Sequence, residues 1–334
     1  MTEQRPAPDK SIEVRDLTKD FKGFVAVNNV SFDVAAGQLF GFLGPNGAGK
    51  TTTVRMLCTL TQPSSGSAKV VGYDIVRQHN DVRRSIGIIF QDPSLDDRLT
   101  ARENLRFHAM IYRVPLHDLA DRIKQALEWM ELTERADDIV RNFSGGMKRR
   151  LEIARGLLHS PRVLFLDEPT LGLDPQTRNR IWERLLLLRR EQGVTLFLTT
   201  HYMDEAEYCD RIAIIDHGRI IALDTPRALK EQVEGDCISL RTADDTAAAA
   251  EVTQRYSVEV QRDANGIHFE VKDGAGFVPG LVRELAVPVI AVDVHQPTLE
   301  DVFLKLTGRE IRDDEASGHD KLKSRIQRMG RAAH

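Results

Sequence analysis

Apolar and polar residues alternate through Ile12-Glu13-Val14 and Val30-Ser31-Phe32-Asp33-Val34, the pattern of half-buried strands, with a turn at Gly37. Four later runs do not alternate: Leu39-Phe40-Gly41-Phe42-Leu43, Ile86-Gly87-Ile88-Ile89-Phe90, Val163-Leu164-Phe165-Leu166 and Val194-Thr195-Leu196-Phe197-Leu198. Unbroken runs of that length suit strands buried on both faces, as in a parallel sheet covered by helices. Between the first two lie the loop signal Pro63 to Ser67 and a short strand, Ala68 to Gly72. From Thr100 to about Val140 the spacing changes to three and four, through Leu105, His108, Ala109 and Tyr112, then Ile123, Ala126, Leu127 and Met130. A further stripe, Leu151, Ala154 and Leu158, completes a helical block of about 100–158 inserted in the α/β core.

Beyond Leu229 the pattern shifts, with a junction at Glu234-Gly235. Cys237 to Leu240, Val258 to Val260, Ile267 to Val271 and Val289 to Val294 read as strands, and Asn265-Gly266 as a hairpin turn. Thr246 to Tyr256 and Phe277 to Leu285 read as helices, and Thr298-Leu299-Glu300-Asp301 opens a last one as a capping box. The order β-α-β-β-α-β predicts a small ferredoxin-like α+β domain without a catalytic site. The expected organisation is an N-terminal tail over 1–11, an α/β domain over 12–234, the α+β domain over 235–310 and a charged tail over 311–334.

Composition narrows the function. With 334 residues the chain has room for two domains, and 41% hydrophobic with 29% charged residues is a globular balance. A net charge of -4 carries no footprint of general nucleic-acid binding. The longest leucine run, Leu185 to Leu188, is flanked by Arg184 and Arg189, so no membrane span is expected. Cys58, Cys209 and Cys237 are too scattered for a disulfide framework or a zinc motif, and the histidines show no metal-ligand spacing.

The chemistry centres on Gly44-Pro45-Asn46-Gly47-Ala48-Gly49-Lys50-Thr51-Thr52, between the strand ending at Leu43 and a helical pattern. This is G-x-x-x-x-G-K-[ST] in strand-to-helix context. The glycines let backbone N–H groups turn inward around a phosphate, and the helix start adds positive potential. Lys50 supplies a mobile charge for the outer phosphates, and the Thr51 hydroxyl can ligate a nucleotide's magnesium. The strand from Val163 ends in Asp167-Glu168, two carboxylates at the rim where ligands of open α/β sheets bind. Asp167 can hold magnesium through water, while Glu168 can polarise the water that attacks the γ-phosphate.

Weaker signals cluster around these. Phe21, or its rival Phe24, can stack on an adenine or belong to an edge-strand core. Gln91 ends a strand and can reach magnesium or the attacking water, and His201 ends another and can hold the γ-phosphate. Ser144 can cap a helix whose N-terminal N–H groups are bared by Gly145 and Gly146. The run Lys148-Arg149-Arg150 reads as a solvated face, and Leu171 to Asp174 as a tight acidic turn.

Taken in order, the phosphate loop, Gln91, Phe143-Ser144-Gly145-Gly146-Met147, Asp167-Glu168, the Leu171 to Asp174 turn and His201 resemble the ATP-binding cassette family over Ile12 to Leu229. The signature departs at Phe143 and Met147, where the family usually has Leu and Gln. The resemblance implies a P-loop NTPase cassette, a mixed sheet with a parallel core and an inserted helical subdomain, that hydrolyses ATP with Mg2+. It makes Phe21 the adenine-stacking aromatic, Gln91 a magnesium and coupling residue, and His201 the switch histidine. It also implies that Ser144, Gly145 and Gly146 face the nucleotide of a second cassette, with Asp174 beside it. The end of the chain, Pro297 to Arg309, is similar to daunorubicin-resistance-type subunits, which energise efflux of drugs, lipids or other amphipathic molecules through a separately encoded permease. A peripheral position on the cytoplasmic face of the membrane follows from that resemblance. Rival readings are a soluble cassette ATPase acting on ribosomes or nucleic acid and an ATP-dependent assembly or immunity switch. The basic residues of the last segment suit a solvated tail or a helix on anionic lipid.

Overall fold

The computed structural model describes residues 9–91, 94–233, 235–263 and 265–308. The expectations for residues 1–8 and for the 311–334 tail lie outside them. The chain divides into two compact units, the first ending at Ile220 and the second beginning at Ile221, whereas the sequence pattern shifts at Glu234-Gly235.

The first unit opens with two long strands, β1 (Lys10–Phe21) and β2 (Phe24–Ala35), which form an antiparallel hairpin. Lys22 and Gly23 turn it with φ of 53° and 100°, the left-handed pair that fits the twist of a two-residue hairpin. After β3 (Leu39–Leu43) and α1 (Lys50–Leu57), β4 (Ser65–Val70) and β5 (Tyr73–Asp74) complete a sheet of order β2-β1-β4-β5. Then come α2 (His79–Ser85), β6 (Ile86–Ile89), the inserted helices α3 (Ala101–Ile111), α4 (Leu116–Trp129) and α5 (Gly145–Leu157), and β7 (Val163–Asp167). The unit continues with α6 (Pro175–Gln192), β8 (Thr195–Thr200), α7 (Met203–Ala206) and β9 (Arg211–Asp216), and β10 (Arg219–Asp224) crosses the division.

In the central sheet β9, β3, β8, β7 and β6 lie side by side in that order, all parallel. Every residue of β3, β7 and β8 is buried, which is why these runs are unbroken rather than alternating. Phe32 from the antiparallel sheet stacks at 5.4 Å on Phe40, and Phe40, Phe42 and Phe165 all meet Phe197. This aromatic cluster joins the two sheets. Thr100 and Glu103 form a capping box at α3, and Asp174 caps α6 with Pro175 in its first turn.

The second unit holds α8 (Pro226–Lys230), β11 (Asp236–Thr242), α9 (Asp245–Tyr256), β12 (Gln261–Arg262), β13 (Ile267–Val271), α10 (Gly274–Glu284), β14 (Val289–His295) and α11 (Leu299–Thr307). Its antiparallel sheet runs β12-β13-β11-β14, the ferredoxin-like arrangement expected from the element order. Ile238, Leu240, Ala248, Val252, Ile267, Phe269 and Leu281 form its core. Two boundaries differ from the sequence reading. The short strand is Gln261–Arg262 rather than Val258 to Val260, because α9 ends in a left-handed Ser257 (φ 56°) and ladder pairing with β13 starts only at Gln261. Helix α10 starts at Gly274, where Asp273 caps it through the Gly276 N–H.

Candidate active site

The parallel strands deliver the candidate residues to one rim. After β3 the chain turns through Gly44, Pro45, Asn46, Gly47, Ala48 and Gly49 into α1. Gly49 has φ 108°, and a Cβ there would stand 2.5 Å from the Ala26 carbonyl oxygen, so the loop backbone lies directly against β2. Helix α1 carries no side-chain cap, unlike α3, α5 and α6. A bare helix start behind a glycine loop is a cradle for phosphate.

Lys50, 4% exposed, donates to the carbonyls of Gly44 (2.7 Å) and Pro45 (3.1 Å). Its Nζ lies 3.3 Å from Glu168 Oε1. Burial pulls the ammonium pKa down, against the opposing pull of Glu168. Thr51 Oγ1 donates to Asp167 Oδ1 at 3.2 Å, and Thr199 Oγ1 donates to the same oxygen at 2.5 Å. Burial raises the Asp167 carboxyl above its ordinary value, although both threonine hydroxyls oppose the shift. A hydroxyl and a carboxylate at the edge of a phosphate cradle are the hard oxygen donors that magnesium takes, so this donor set fits that ion. Thr52 follows on α1, half-buried.

Glu168 is the pivot. It leaves β7 with φ 46°, the left-handed region that a residue with a side chain occupies only when its surroundings hold it. The N–H donates to the Thr199 carbonyl at 3.1 Å. The carboxylate sits between two basic groups, because His201 Nδ1 also lies 3.3 Å from Oε1. Burial acts to raise its pKa, but the His201 hydrogen bond and Lys50 outweigh it and hold the carboxyl below its usual range. The group is therefore ionised at neutral pH and can accept a proton from water.

Lys50, Thr51, Asp167, Glu168 and His201 thus form one bonded cluster, and other candidates stand around it. Phe21 and Phe24 face each other across the hairpin tip, 48% and 66% exposed, so neither ring is a core residue. Lys19 Nζ lies 4.9 Å from the Phe21 ring centre. Gln91 is exposed just past β6, the neighbour of β7. Ser144 caps α5 by accepting from the Met147 N–H, and Ser144 and Gly145 are exposed. Gly146 packs on α6, where a Cβ would come within 2.4 Å of Thr177 Cγ2. Asp174 accepts from the Thr177 N–H at 2.9 Å, so its carboxylate serves the helix start.

A sequence model of the ABC transporter family matches residues 27–171. The Nod factor export ATP-binding protein I of Cupriavidus metallidurans is 40% identical over 304 residues, spanning 90% of this chain and 99% of that one. This chain belongs to the ABC transporter ATP-binding family. The daunorubicin/doxorubicin resistance ATP-binding protein of Streptomyces peucetius is 37% identical over 326 residues, 94% of this ABC protein and 98% of the relative. Among solved structures, a dimeric ATP-binding cassette in a post-hydrolysis state with ADP and phosphate superposes with a TM-score of 0.59 at 27% identity, covering 64% of this chain and 98% of that one. The protein is an ABC ATPase, as the phosphate loop and the paired carboxylates led one to expect.

Two buried groups of the ABC cassette escape the sequence reading. Arg149, placed there on a solvated face, is 6% exposed. Its guanidinium donates to the carbonyls of Asp167 and Glu168 (3.2 Å each), Pro169 (2.5 Å) and Phe90. Glu205, 1% exposed, accepts from Thr170 Oγ1, from Thr200 Oγ1 at 2.6 Å and from Trp182 Nε1 at 3.4 Å. It thereby ties the segment after Glu168 to the residue before His201. Arg149 lies on the same helix face as Glu152, one turn ahead, and pairs with it.

Proposed function

We propose that this ABC ATPase energises export of a drug, lipid or other amphipathic molecule through a separately encoded integral-membrane permease, working as a homodimer that closes on two ATP molecules. The observation that carries the ATPase half is the placement of Glu168 Oε1 3.3 Å from both Lys50 Nζ and His201 Nδ1 beside an uncapped helix start. Export is supported by the relatives, whose names assign them to Nod factor export and to daunorubicin/doxorubicin resistance. No helix among the described residues is long and apolar enough to cross a membrane. On this reading the transport path belongs to a partner, and the cassette sits peripherally on the membrane through it.

In the proposed mechanism the loop from Gly44 to Gly49 and the start of α1 hold the ATP phosphates, with Phe21 against the adenine. Lys50 moves from the Gly44 and Pro45 carbonyls to the outer phosphates. Thr51, with Asp167 and Gln91 partly through water, would hold magnesium, which would supply charge neutralisation at the phosphates. Glu168 orients and deprotonates the attacking water, and His201 donates to the γ-phosphate as charge builds on it. The exposed Ser144 and Gly145 at the start of α5 complete the other subunit's site, and the dimeric cassette among the solved relatives supports that assembly.

The test is an affinity capture of the tagged chain from detergent-solubilised native membranes, with stoichiometry by mass spectrometry. A multi-span membrane protein at about one copy per cassette is expected. Ribosomal or DNA-repair proteins in its place would remove the transporter reading and leave the ATPase.

A further inference from the structure

The second unit brings a cysteine, a histidine and a carboxylate from three elements to one point. Cys237 near the start of β11 is the direct register partner of His295 at the end of β14, so their side chains emerge next to each other on one face. Helix α11 begins just beyond, and its first turn lays Asp301 over the pair. One ligand atom from each of Cys237, His295 and Asp301 lies within 4.8 Å of the others.

The surroundings of the three are organised as well. His295 Nε2 faces both oxygens of Asp301, at 3.1 and 3.0 Å, while Nδ1 lies 3.2 Å from Asp293 Oδ2. A ligating histidine characteristically gives its second ring N–H to a carboxylate, which fixes the tautomer and aims the other nitrogen at the ion. Asp301 Oδ2 is engaged by the Thr298 N–H and hydroxyl at 2.8 and 2.6 Å, which anchors the carboxylate over the pair. Cys237 is buried and His295 and Asp301 are half-exposed, and Cys237 and Asp301 line a groove together with Glu270 and Lys305. An ion can therefore reach Cys237 and Asp301 from that groove.

We propose that Cys237, His295 and Asp301 form a binding site for a divalent transition-metal ion of the zinc class, with Asp293 as the carboxylate behind the histidine. One sulfur, one nitrogen and one oxygen suit a borderline-soft tetrahedral ion with a water in fourth place, and not magnesium or calcium, which take oxygen alone. The thiol gives up its proton to solvent as the sulfur–metal bond forms. The bound ion ties the start of β11, the end of β14 and the first turn of α11 together. It therefore stabilises this unit by an amount that grows with the logarithm of ion concentration over Kd.

The probe is Co2+, added to the untagged, chelator-stripped full-length chain in excess Mg2+ and without nucleotide. One Co2+ per chain with a thiolate-to-cobalt charge-transfer band is expected, displaced by an equivalent of Zn2+. Cys237→Ser should abolish the band, and Asp293→Asn, at an exposed position, should weaken binding by about 10- to 100-fold while leaving the fold intact. Absence of the band in the wild type, or its survival in Cys237→Ser, overturns the site. Unchanged affinity in Asp293→Asn overturns the part given to that carboxylate.

Discussion

Arg149 and Glu152, one turn apart on α5, form an ion pair at 3.1 Å whose side chains are only 7% and 1% exposed. The pair links two segments at the rim of the candidate site. The guanidinium fork grips the carbonyls of Asp167 and Glu168, while Glu152 accepts from the Ser94 N–H at 2.7 Å, past the end of β6. Bonded on both sides of the peptide that follows Asp167, Arg149 pins the left-handed Glu168 backbone. Arg149→Met removes one partner of a buried pair and should cost about 3–5 kcal/mol in urea unfolding. Arg149→Lys keeps the charge but not the fork, so the carboxylate shifts by a fraction of its reach. Turnover in that variant should fall up to about 10²-fold with ATP affinity little changed. Equal losses in affinity and turnover would remove the positioning role.

Glu168→Gln keeps the shape and removes the proposed base. Turnover should fall about 10²- to 10⁴-fold while ATP still binds, and sedimentation with ATP should show self-association. His201→Gln makes a finer prediction. His201 is the leading influence that lowers the Glu168 carboxyl, so its removal raises that pKa and moves the acid limb of kcat/KM to higher pH. An acid limb that stays in place in His201→Gln would dissociate the pair.

A second pH dependence arises away from the site. Burial, with Arg155 and His159 nearby, holds His108 down to about 3, and burial lowers His159 against its hydrogen bond to the Ile86 carbonyl. The Tyr112 ring lies between the two imidazoles, 4.7 and 4.1 Å from them. Between the ordinary 6.5 and about 3 the unfolded chain therefore binds more protons at His108 than the folded one. Stability contributed this way is present above the unfolded pKa and is lost as the pH falls through that window. Each such proton contributes at most about 1.4 kcal/mol per pH unit. His108→Phe keeps a ring against Tyr112 and should flatten the dependence measured by urea unfolding. Parallel slopes for the two proteins would assign the loss to the carboxylates.

Most of the candidate cluster was legible because its residue types are local in the sequence. The phosphate loop and the Asp167-Glu168 strand end carry their partners' identity in spacing, and unbroken apolar runs located the strands that aim them. Arg149 was not legible, because a basic run has the same composition whether it meets solvent or four carbonyls. Only the fold reveals that β6 and β7 end beneath it. Glu205 was hidden for the same reason: Thr170, Trp182 and Thr200 meet it from three separate elements. In the α+β unit the element order was readable, but Val258 to Val260 looked like a strand because β-propensity is insensitive to where ladder partners begin.

The segment from Ser94 to Leu99 yields the last prediction, since its polar atoms are fixed to the cassette while its leucines are only partly covered. Ser94 is held by Glu152 and by Arg155, whose guanidinium donates to the Ser94 carbonyl at 2.7 Å and hydroxyl at 2.6 Å. The Asp96 N–H donates to Asn104 Oδ1 at 2.9 Å, Lys148 bonds Asp97 at 2.8 Å, and the Leu99 carbonyl accepts from the Val140 N–H. With the backbone strapped to α3 and α5, Leu95 and Leu99 remain half-buried side chains able to complete their burial against a partner helix. Leu95→Asp/Leu99→Asp places two charges there and disturbs none of those bonds. ATPase activity of the isolated chain should stay within about twofold of wild type. Transport, and co-purification of the membrane protein, should be lost. Normal transport by the double variant would move the coupling surface elsewhere. A collapse of the isolated ATPase would show instead that the leucines serve the cassette's own packing.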